Sequence, residues 1–256
     1  MKVPVLVPKI FNFPFTYETG QLNNLKPGDF VKVPFGKAEE IGVVWDKIQP
    51  SEKKFSIKAI SSKIEGVSIN QSLIKFINLF SDYNLVSKGM VLKMCIGDKK
   101  NISKFENIEE QILKKTNKNF VLNEGQKKSL SEISKHKEKF DVTLLQGITG
   151  SGKTIVYFYR IREILKKNKQ VLILLPEIFL TNQFKDRFTE FFGFEPSIWH
   201  SKITVKNKRK IWQGIINNKI KLVIGARSSL LLPFKDLGLI VLDEEHDSSY
   251  KQDEGI

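Results

Sequence analysis

The glycine-rich run GITGSGKT at residues 147–154 constrains the fold of this chain more than any other feature. It fits the pattern G-x-x-x-x-G-K-[ST] at every fixed position, and in a functional context this pattern follows a buried strand and opens a helix. An apolar run precedes it at residues 142–145, and apolar residues follow at helical spacing over residues 155–165. The run therefore predicts a strand–loop–helix unit that binds a nucleoside triphosphate.

Each residue type in this loop has a chemical reason. Glycines let successive backbone N–H groups face inward as an anion site, and the positive end of the following helix adds to its field. We expect Lys153 to reach the β- and γ-phosphates and the Thr154 hydroxyl to suit Mg²⁺, which takes few protein ligands. A glycine-rich turn that serves packing alone is the alternative. The predicted nucleotide-binding residues are Gly147, Thr149, Gly150, Ser151, Gly152, Lys153 and Thr154.

A second candidate site follows the apolar run at residues 237–242, which ends in the sequence DEEH. In phosphate-loop enzymes, an aspartate at such a strand end holds Mg²⁺, and a neighbouring acid positions the attacking water. Taken alone, an acidic cluster after a strand is a solvated loop or the start of a helix. The predicted metal ligands are Thr154 and Asp243, and the predicted catalytic residues are Lys153, Asp243 and Glu244.

The charge of the chain points to a polyanionic partner. Its formal net charge is +14 and its isoelectric point is near 9.6. We favour nucleic acid over a membrane, because no segment approaches the roughly 18 consecutive apolar residues of a spanning helix and the N-terminus lacks a signal-peptide pattern. A lysine-biased genome is the alternative explanation for the charge. The single cysteine, Cys95, excludes a disulfide or a cysteine-based zinc site within the chain and fits a reduced, cytoplasmic setting.

The hydrophobic pattern divides the chain into four segments. Residues 1–68 are β-rich, with strands expected at residues 30–36 and 40–45. Residues 69–97 have apolar positions at helical spacing, and Gly89 is expected to separate two helices. Residues 98–119 are polar and lysine-rich, which predicts a linker with one short helix.

Residues 120–256 alternate between strand and helix patterns. The strands are expected at residues 142–145, 171–175, 222–225 and 239–242. This alternation predicts an α/β fold with a mostly parallel sheet. Ligands of such sheets bind beyond the carboxyl ends of the strands, which is where the glycine-rich and acidic motifs fall.

Four segments of this C-terminal part closely resemble the primosomal replication-restart helicases. They are ILLPEI at residues 173–178, IGARS at 224–228, PFKDLGL at 233–239 and DEEHDSSYKQ at 243–252. Many superfamily 2 helicases share the DEEH core, whereas the DSSYKQ extension resembles this family in particular. Near the N-terminus, VKVPFGK at residues 31–37 is similar to the family's domain for the 3′ end of a nascent leading strand. The resemblance implies a RecA-like helicase lobe preceded by a small β-rich DNA-binding domain.

The resemblance also implies individual roles. Gln126 matches the glutamine that reads adenine, so the expected nucleotide is ATP, used with Mg²⁺. Gly225 and Arg227 match positions that contact the DNA backbone. Thr16 stands where the family often has an aspartate that accepts a bond from the 3′ hydroxyl, and a threonine still accepts that bond without charge. The implied DNA-binding residues are Phe15, Thr16, Gly36, Lys58 and Arg227.

Two departures from the family pattern bear on function. Only residues 98–119 stand where family members carry a winged-helix domain, so that domain is expected to be missing or vestigial. The chain ends at Ile256, and the second helicase lobe and the cysteine-rich zinc module of the family are expected to lie outside it. What remains is therefore expected to bind rather than to translocate.

The expected function is the N-terminal portion of an ATP-dependent 3′ to 5′ DNA helicase that recognises stalled forks and starts primosome assembly. The implied partners are branched or forked DNA, single-stranded DNA, primosome proteins and single-strand-binding proteins. A module that binds fork DNA and ATP without translocating is the second hypothesis. A different superfamily 2 nucleic-acid ATPase, acting for example on RNA, is the third.

Overall fold

The computed structural model describes residues 1–47, 57–114, 120–135, 140–148, 150–176 and 180–250. The strands are β1 (Lys2–Leu6), β2 (Phe15–Glu18), β3 (Asp29–Phe35), β4 (Ala38–Val44), β5 (Ser62–Ser68), β6 (Gln170–Leu174), β7 (Ser197–Trp199), β8 (Leu222–Gly225) and β9 (Leu237–Leu242). The helices are α1 (Gln71–Asn84), α2 (Lys88–Ile96), α3 (Lys100–Ser103), α4 (Glu124–Lys135), α5 (Lys153–Lys166), α6 (Asn182–Phe192) and α7 (Val205–Ile216).

These elements form two compact units that are discontinuous along the chain. Unit 1 contains Met1–Glu109, Thr204–Lys219 and Leu231–Lys235, and unit 2 contains Glu110–Ile203, Ile220–Leu230 and Asp236–Ile256. Helix α7 therefore belongs to unit 1, although it is far from the N-terminus in sequence. The boundaries proposed from sequence at residues 68, 97 and 119 stay predictions.

Unit 1 is built on a five-stranded antiparallel sheet in the order β2-β1-β4-β3-β5. Strands β3 and β4 form a hairpin and cover the two strands expected from the sequence. Its core contains Val5, Val31 and Val33, which are fully buried. Gly28 has a φ of +98°, and a Cβ there would lie 2.0 Å from the Ile69 carbonyl oxygen, so only glycine fits.

The helices of unit 1 confirm the helical pattern but correct the role of Gly89. The break between α1 and α2 falls at Leu85, which has a left-handed backbone with a φ of 56°. Gly89 lies inside α2, where a Cβ would lie 2.1 Å from the carbonyl oxygen of Lys9 and 2.5 Å from that of Val7. The glycine allows a close backbone approach, which a one-dimensional pattern does not show.

Helix α7 packs within unit 1 through buried polar and aromatic contacts. The Trp212 indole N–H donates to the Cys95 carbonyl at 2.8 Å, and the Trp212 ring lies edge-on to Phe30. Arg209 donates to Glu106 at 2.7 Å, and both side chains are largely buried. Cys95 is 3% exposed, as expected for a core residue, and burial raises the pKa of its thiol to about 12.

Unit 2 contains a four-stranded sheet in the order β7-β8-β6-β9, and every pairing in it is parallel. A cluster of phenylalanines from α5 and α6 forms the centre of its core, comprising Phe158, Phe188, Phe191 and Phe192. The predicted α/β fold with a parallel sheet is confirmed. Within the described ranges, no helix is both long and apolar enough to cross a membrane.

The prediction of a strand at residues 142–145 is wrong. These residues pair with no strand of the sheet, and Val142 and Leu144 are 80% and 77% exposed. An apolar run forms a strand only where a neighbouring backbone edge accepts its hydrogen bonds, and the sequence pattern does not identify that neighbour. Conversely, β7 has only three residues and was not predicted.

Candidate nucleotide and nucleic-acid sites

The parallel sheet of unit 2 brings the segments that follow its strands, including the acidic motif, to one edge. Strands β6, β8 and β9 run in the same direction and end at Leu174, Gly225 and Leu242. Because the carboxyl ends of parallel strands share an edge, the segments that follow them lie together. A backbone hydrogen bond also joins the ends of β9 and β6 at this edge, because the Asp243 N–H donates to the Leu174 carbonyl at 3.0 Å.

The glycine-rich loop leads directly into α5. Gly150 and Gly152 both have a φ of +81°, a conformation that glycine adopts without steric cost. Helix α5 begins at Lys153, and its first turn carries no acidic residue that would oppose a bound anion. The Lys153 ammonium donates to the Gly147 carbonyl at 2.8 Å, so it lies over the loop. Thr149 lies outside the described residues.

Gln126 of α4 packs against this loop. Its side-chain N–H donates to the Ser151 carbonyl at 2.9 Å, and a Cβ on Gly152 would lie 2.4 Å from the same nitrogen. Gln126 also exchanges two hydrogen bonds with Asn123, at 2.8 and 3.0 Å. The structure thus places the residue expected to read adenine beside the residues expected to bind phosphate.

Asp243 is held by hydrogen bonds on both carboxylate oxygens. The Tyr157 hydroxyl donates to Oδ2 at 2.7 Å, and the Glu244 backbone N–H donates to Oδ1 at 3.1 Å. The Tyr250 hydroxyl donates to the Asp243 carbonyl at 2.8 Å. These bonds fix the orientation of the carboxylate at the end of β9.

Tyr157 connects the loop to the acidic motif. Burial raises the pKa of its hydroxyl well above the ordinary value, the negative charge of Asp243 raises it further, and the nearby Thr154 side chain lowers it. The neutral hydroxyl therefore acts as the donor to Asp243. Sequence reasoning missed this residue; its only signal was an aromatic hydroxyl one helical turn after Lys153.

The two predicted metal ligands fit Mg²⁺ in this arrangement. Thr154 and Asp243 offer a hydroxyl and a carboxylate oxygen, and the bond from Tyr157 to Asp243 brings the first turns of α5, which begins at Lys153, to the acidic motif. Mg²⁺ is a hard cation that takes one or two protein oxygens and keeps water and phosphate oxygens. No group of three or more His, Cys, Asp or Glu side chains able to hold a metal occurs in the described part of the chain, so no all-protein metal cage competes with this arrangement there.

Glu244 follows Asp243 in a strained backbone conformation. Its φ of 52° lies in the left-handed region, which costs a non-glycine residue about 1–2 kcal/mol. The His246 ring lies 3.7 Å from the Glu244 carboxylate and 3.8 Å from that of Glu245. Strain of this kind is typical of functional sites, where the surrounding contacts maintain it.

Arg227 lies at the mouth of an open cavity in unit 2. The cavity has a volume of about 430 Å³ and is lined by Leu175, Pro176, Ser201, Ala226, Arg227, Ser228, Asp247, Ser249 and Tyr250. Gly225 ends β8 just before Ala226 and Arg227, and a Cβ there would lie 2.6 Å from the Ser229 hydroxyl. The cavity thus combines a cation with hydroxyl groups.

The DNA-binding residues expected near the N-terminus lie around β2 and the β3–β4 turn in unit 1. The Phe15 ring packs edge-on against Phe35 at 5.3 Å between centroids. Lys58 bonds to both elements, because its carbonyl accepts from the Glu18 N–H at 3.0 Å and its ammonium donates to the Gly36 carbonyl at 3.3 Å. Thr16, next to Phe15 in β2, is half-buried.

The structure adds aromatic residues that the sequence reasoning missed. The rings of Phe11 and Phe13 lie 4.9 and 5.1 Å from Phe15, and the Lys9 ammonium lies 5.6 Å from the Phe35 centroid. Phe13 is 43% exposed. The alternation of phenylalanine at positions 11, 13 and 15 was the available signal, since alternate residues of an extended segment share a face.

Comparisons with known proteins match two different families to the N-terminal and C-terminal parts of the chain. The profile of the DEAD/DEAH box helicase family matches residues 123–256, and the profile of the 3′ DNA-binding domain (3′BD) matches residues 2–97. The replication restart protein PriA of Rickettsia conorii is 44% identical over 98% of this chain. The same-named proteins of Haemophilus influenzae and Helicobacter pylori are 47% and 44% identical over 52% and 51% of it.

These relatives are longer than the chain. The alignment covers 38% of the Rickettsia conorii protein, 20% of the Helicobacter pylori protein and 18% of the Haemophilus influenzae protein.

Proposed function

This chain belongs to the DEAD/DEAH box helicase family, and on that premise we propose that unit 2 binds ATP with Mg²⁺ while unit 1 binds the 3′ end of branched DNA. The observation that carries the proposal is the hydrogen bond from Tyr157, on the helix that the glycine-rich loop opens, to Asp243 of the acidic motif. The match of residues 2–97 to the 3′ DNA-binding domain supports the second half.

In the nucleotide site, each residue of the chain has a distinct task. The loop N–H groups and Lys153 bind the phosphate oxygens, and Gln126 reads the adenine edge from α4. Thr154 and Asp243 would hold Mg²⁺, which would supply positive charge to offset that of the β- and γ-phosphates. Glu244 orients the attacking water and accepts its proton.

In the 3′-end site, Phe15 stacks on the terminal base, and Lys58 with the Gly36 main chain contacts the terminal sugar and phosphate. A free 3′ hydroxyl offers a donor that an interior nucleotide lacks, and Thr16 is the proposed neutral acceptor. Arg227 contacts the DNA backbone in unit 2. In the whole protein, these sites serve an ATP-dependent 3′ to 5′ DNA helicase that restarts stalled forks with primosome and single-strand-binding proteins in the cytoplasm.

The experiment measures both sites in the 256-residue chain. We expect it to bind a fluorescent ATP analogue with Mg²⁺, and to bind forked DNA more tightly when the 3′ end at the junction carries a hydroxyl than when it carries a phosphate. DNA-stimulated ATP hydrolysis supports the enzyme, and binding of both ligands without hydrolysis supports the non-translocating module. If the chain does not bind ATP, the proposed nucleotide site is wrong. If it binds the two forks with equal affinity, unit 1 is better described as a general polyanion-binding domain.

A further inference from the structure

Tyr157 occupies a central place in the nucleotide site without being part of either motif that predicted it. It lies one turn along α5 from Lys153 and is 7% exposed. Its hydroxyl donates to Asp243 Oδ2 at 2.7 Å. The hydroxyl therefore connects the first turns of α5 to the residue that follows β9.

We propose that Tyr157 is a positioning residue that sets the Asp243 carboxylate in the geometry that Mg²⁺ requires. The inference rests on the proposed function, because it assigns a role to a residue beside a proposed metal ligand. Tyr157 acts through that carboxylate and does not itself contact nucleotide.

The bonding of Asp243 shows why this role is needed. Its Oδ1 accepts the backbone N–H of the neighbouring Glu244, whereas its Oδ2 accepts from the hydroxyl of the buried Tyr157. An ionised carboxylate oxygen has a second lone pair, so the tyrosine bond fixes the group and still leaves capacity for a cation. A bond of 2.7 Å from a hydroxyl to a carboxylate is in the range of the stronger, charge-assisted class.

A purely structural explanation is that a buried hydroxyl must find some hydrogen-bond partner. The chain offers an internal comparison for that explanation. Tyr159, two positions along the same helix, donates its hydroxyl to the Phe120 carbonyl, also at 2.7 Å. Because that acceptor belongs to neither motif, removal of the Tyr159 hydroxyl reports the cost of losing a tyrosine hydrogen bond from α5 and nothing about the metal.

The test compares Tyr157→Phe with Tyr159→Phe in the 256-residue chain. Each variant keeps the aromatic ring and removes one hydroxyl. Affinity for a fluorescent ATP analogue is measured with Mg²⁺ and again with EDTA, and thermal unfolding is recorded for each protein. We expect Tyr157→Phe to lose about five- to tenfold of the affinity with Mg²⁺ and little in EDTA, the size of one typical net hydrogen bond, because the tyrosine acts on Mg²⁺ only through Asp243. Tyr159→Phe should leave both affinities unchanged.

Specific outcomes overturn the inference. If Tyr157→Phe unfolds at a lower temperature but keeps the full Mg²⁺ enhancement, the tyrosine is structural only. If wild type binds the analogue without any Mg²⁺ enhancement, the proposed metal site itself fails. Should Tyr157→Phe not fold, the near-ultraviolet absorption of wild type on addition of Mg²⁺ and ATP decides the matter. The inference requires a change in tyrosine absorption that is also seen in Tyr159→Phe. If no such change occurs, the inference is refuted.

Discussion

The aromatic cluster of unit 1 and the Tyr157–Asp243 hydrogen bond of unit 2 place their candidate binding groups at different depths. Around Phe15, rings lie at or near the surface, Lys9 lies over a ring face and Lys58 donates to a carbonyl. In unit 2, Tyr157 is buried and its hydroxyl donates to the Asp243 carboxylate. The first arrangement suits stacking on a base, and the second suits fixed contacts with phosphate and a metal ion.

This difference in burial indicates in which site a substitution should change affinity most. Stacking and a neutral hydrogen bond at a half-exposed site are each worth about 1 kcal/mol. Charged hydrogen bonds in a partly buried site are worth more, because solvent competes less for their partners. We therefore expect substitutions in the nucleotide site to have larger and more specific effects than substitutions in the 3′-end site.

The largest effect is expected for Lys153→Ala. Loss of a charged hydrogen bond to phosphate, at about 1.5–3 kcal/mol, should weaken binding of an ATP analogue by roughly 10- to 100-fold. Binding to a fork with a free 3′ end should not change. Lys166→Ala, at the exposed end of the same helix, is the charge-matched control. If Lys153→Ala and wild type bound ATP with equal affinity, the expected larger effect in the nucleotide site would be wrong.

A smaller effect is expected for Phe15→Ala and Lys58→Ala. Each should reduce the preference for a 3′ hydroxyl over a 3′ phosphate by up to about 1 kcal/mol, or roughly fivefold, because Thr16 supplies no charge. ATP binding should be unaffected. Titrations of both forks at one salt concentration measure the preference, and Lys75→Ala on the exposed face of α1 controls for the lost charge. A preference that survives both substitutions would place the 3′-end site elsewhere.

The smallest effect concerns the pH dependence of unit 1. Burial acts to raise the pKa of Glu40, but hydrogen bonds and attraction to Lys99 and Lys9 outweigh it and lower the pKa below the ordinary value. A lowered folded-state pKa contributes stability above the unfolded-state pKa that is lost as pH falls through the folded value. Glu40→Gln should therefore be less stable than wild type near neutral pH.

The stability gap between Glu40→Gln and wild type should close on acidification below the ordinary glutamate range. Thermal unfolding across pH measures this gap. Glu39→Gln, an exposed neighbour on β4, should show no such trend. A gap that stays constant to low pH would show that the lysine pairs do not set the stability of this unit.

The sequence determined the features that depend on local backbone chemistry. The spacing of glycine, lysine and threonine in residues 147–154 predicted the turn into α5, and Gly150 and Gly152 have the positive φ that glycine permits. The apolar runs at residues 171–175 and 222–225 predicted β6 and β8, because buried parallel strands are continuously hydrophobic. Alternation of strand and helix predicted the parallel sheet.

Only the tertiary structure decided what depends on contacts between distant segments. It showed that residues 142–145 pair with no strand, that α7 belongs to unit 1, and that Tyr157 donates to Asp243. A strand needs a neighbouring edge and a buried hydroxyl needs a partner, and neither is encoded by periodicity within one segment. Local conformation follows from residue type, whereas the positions of side chains far apart in sequence follow from packing.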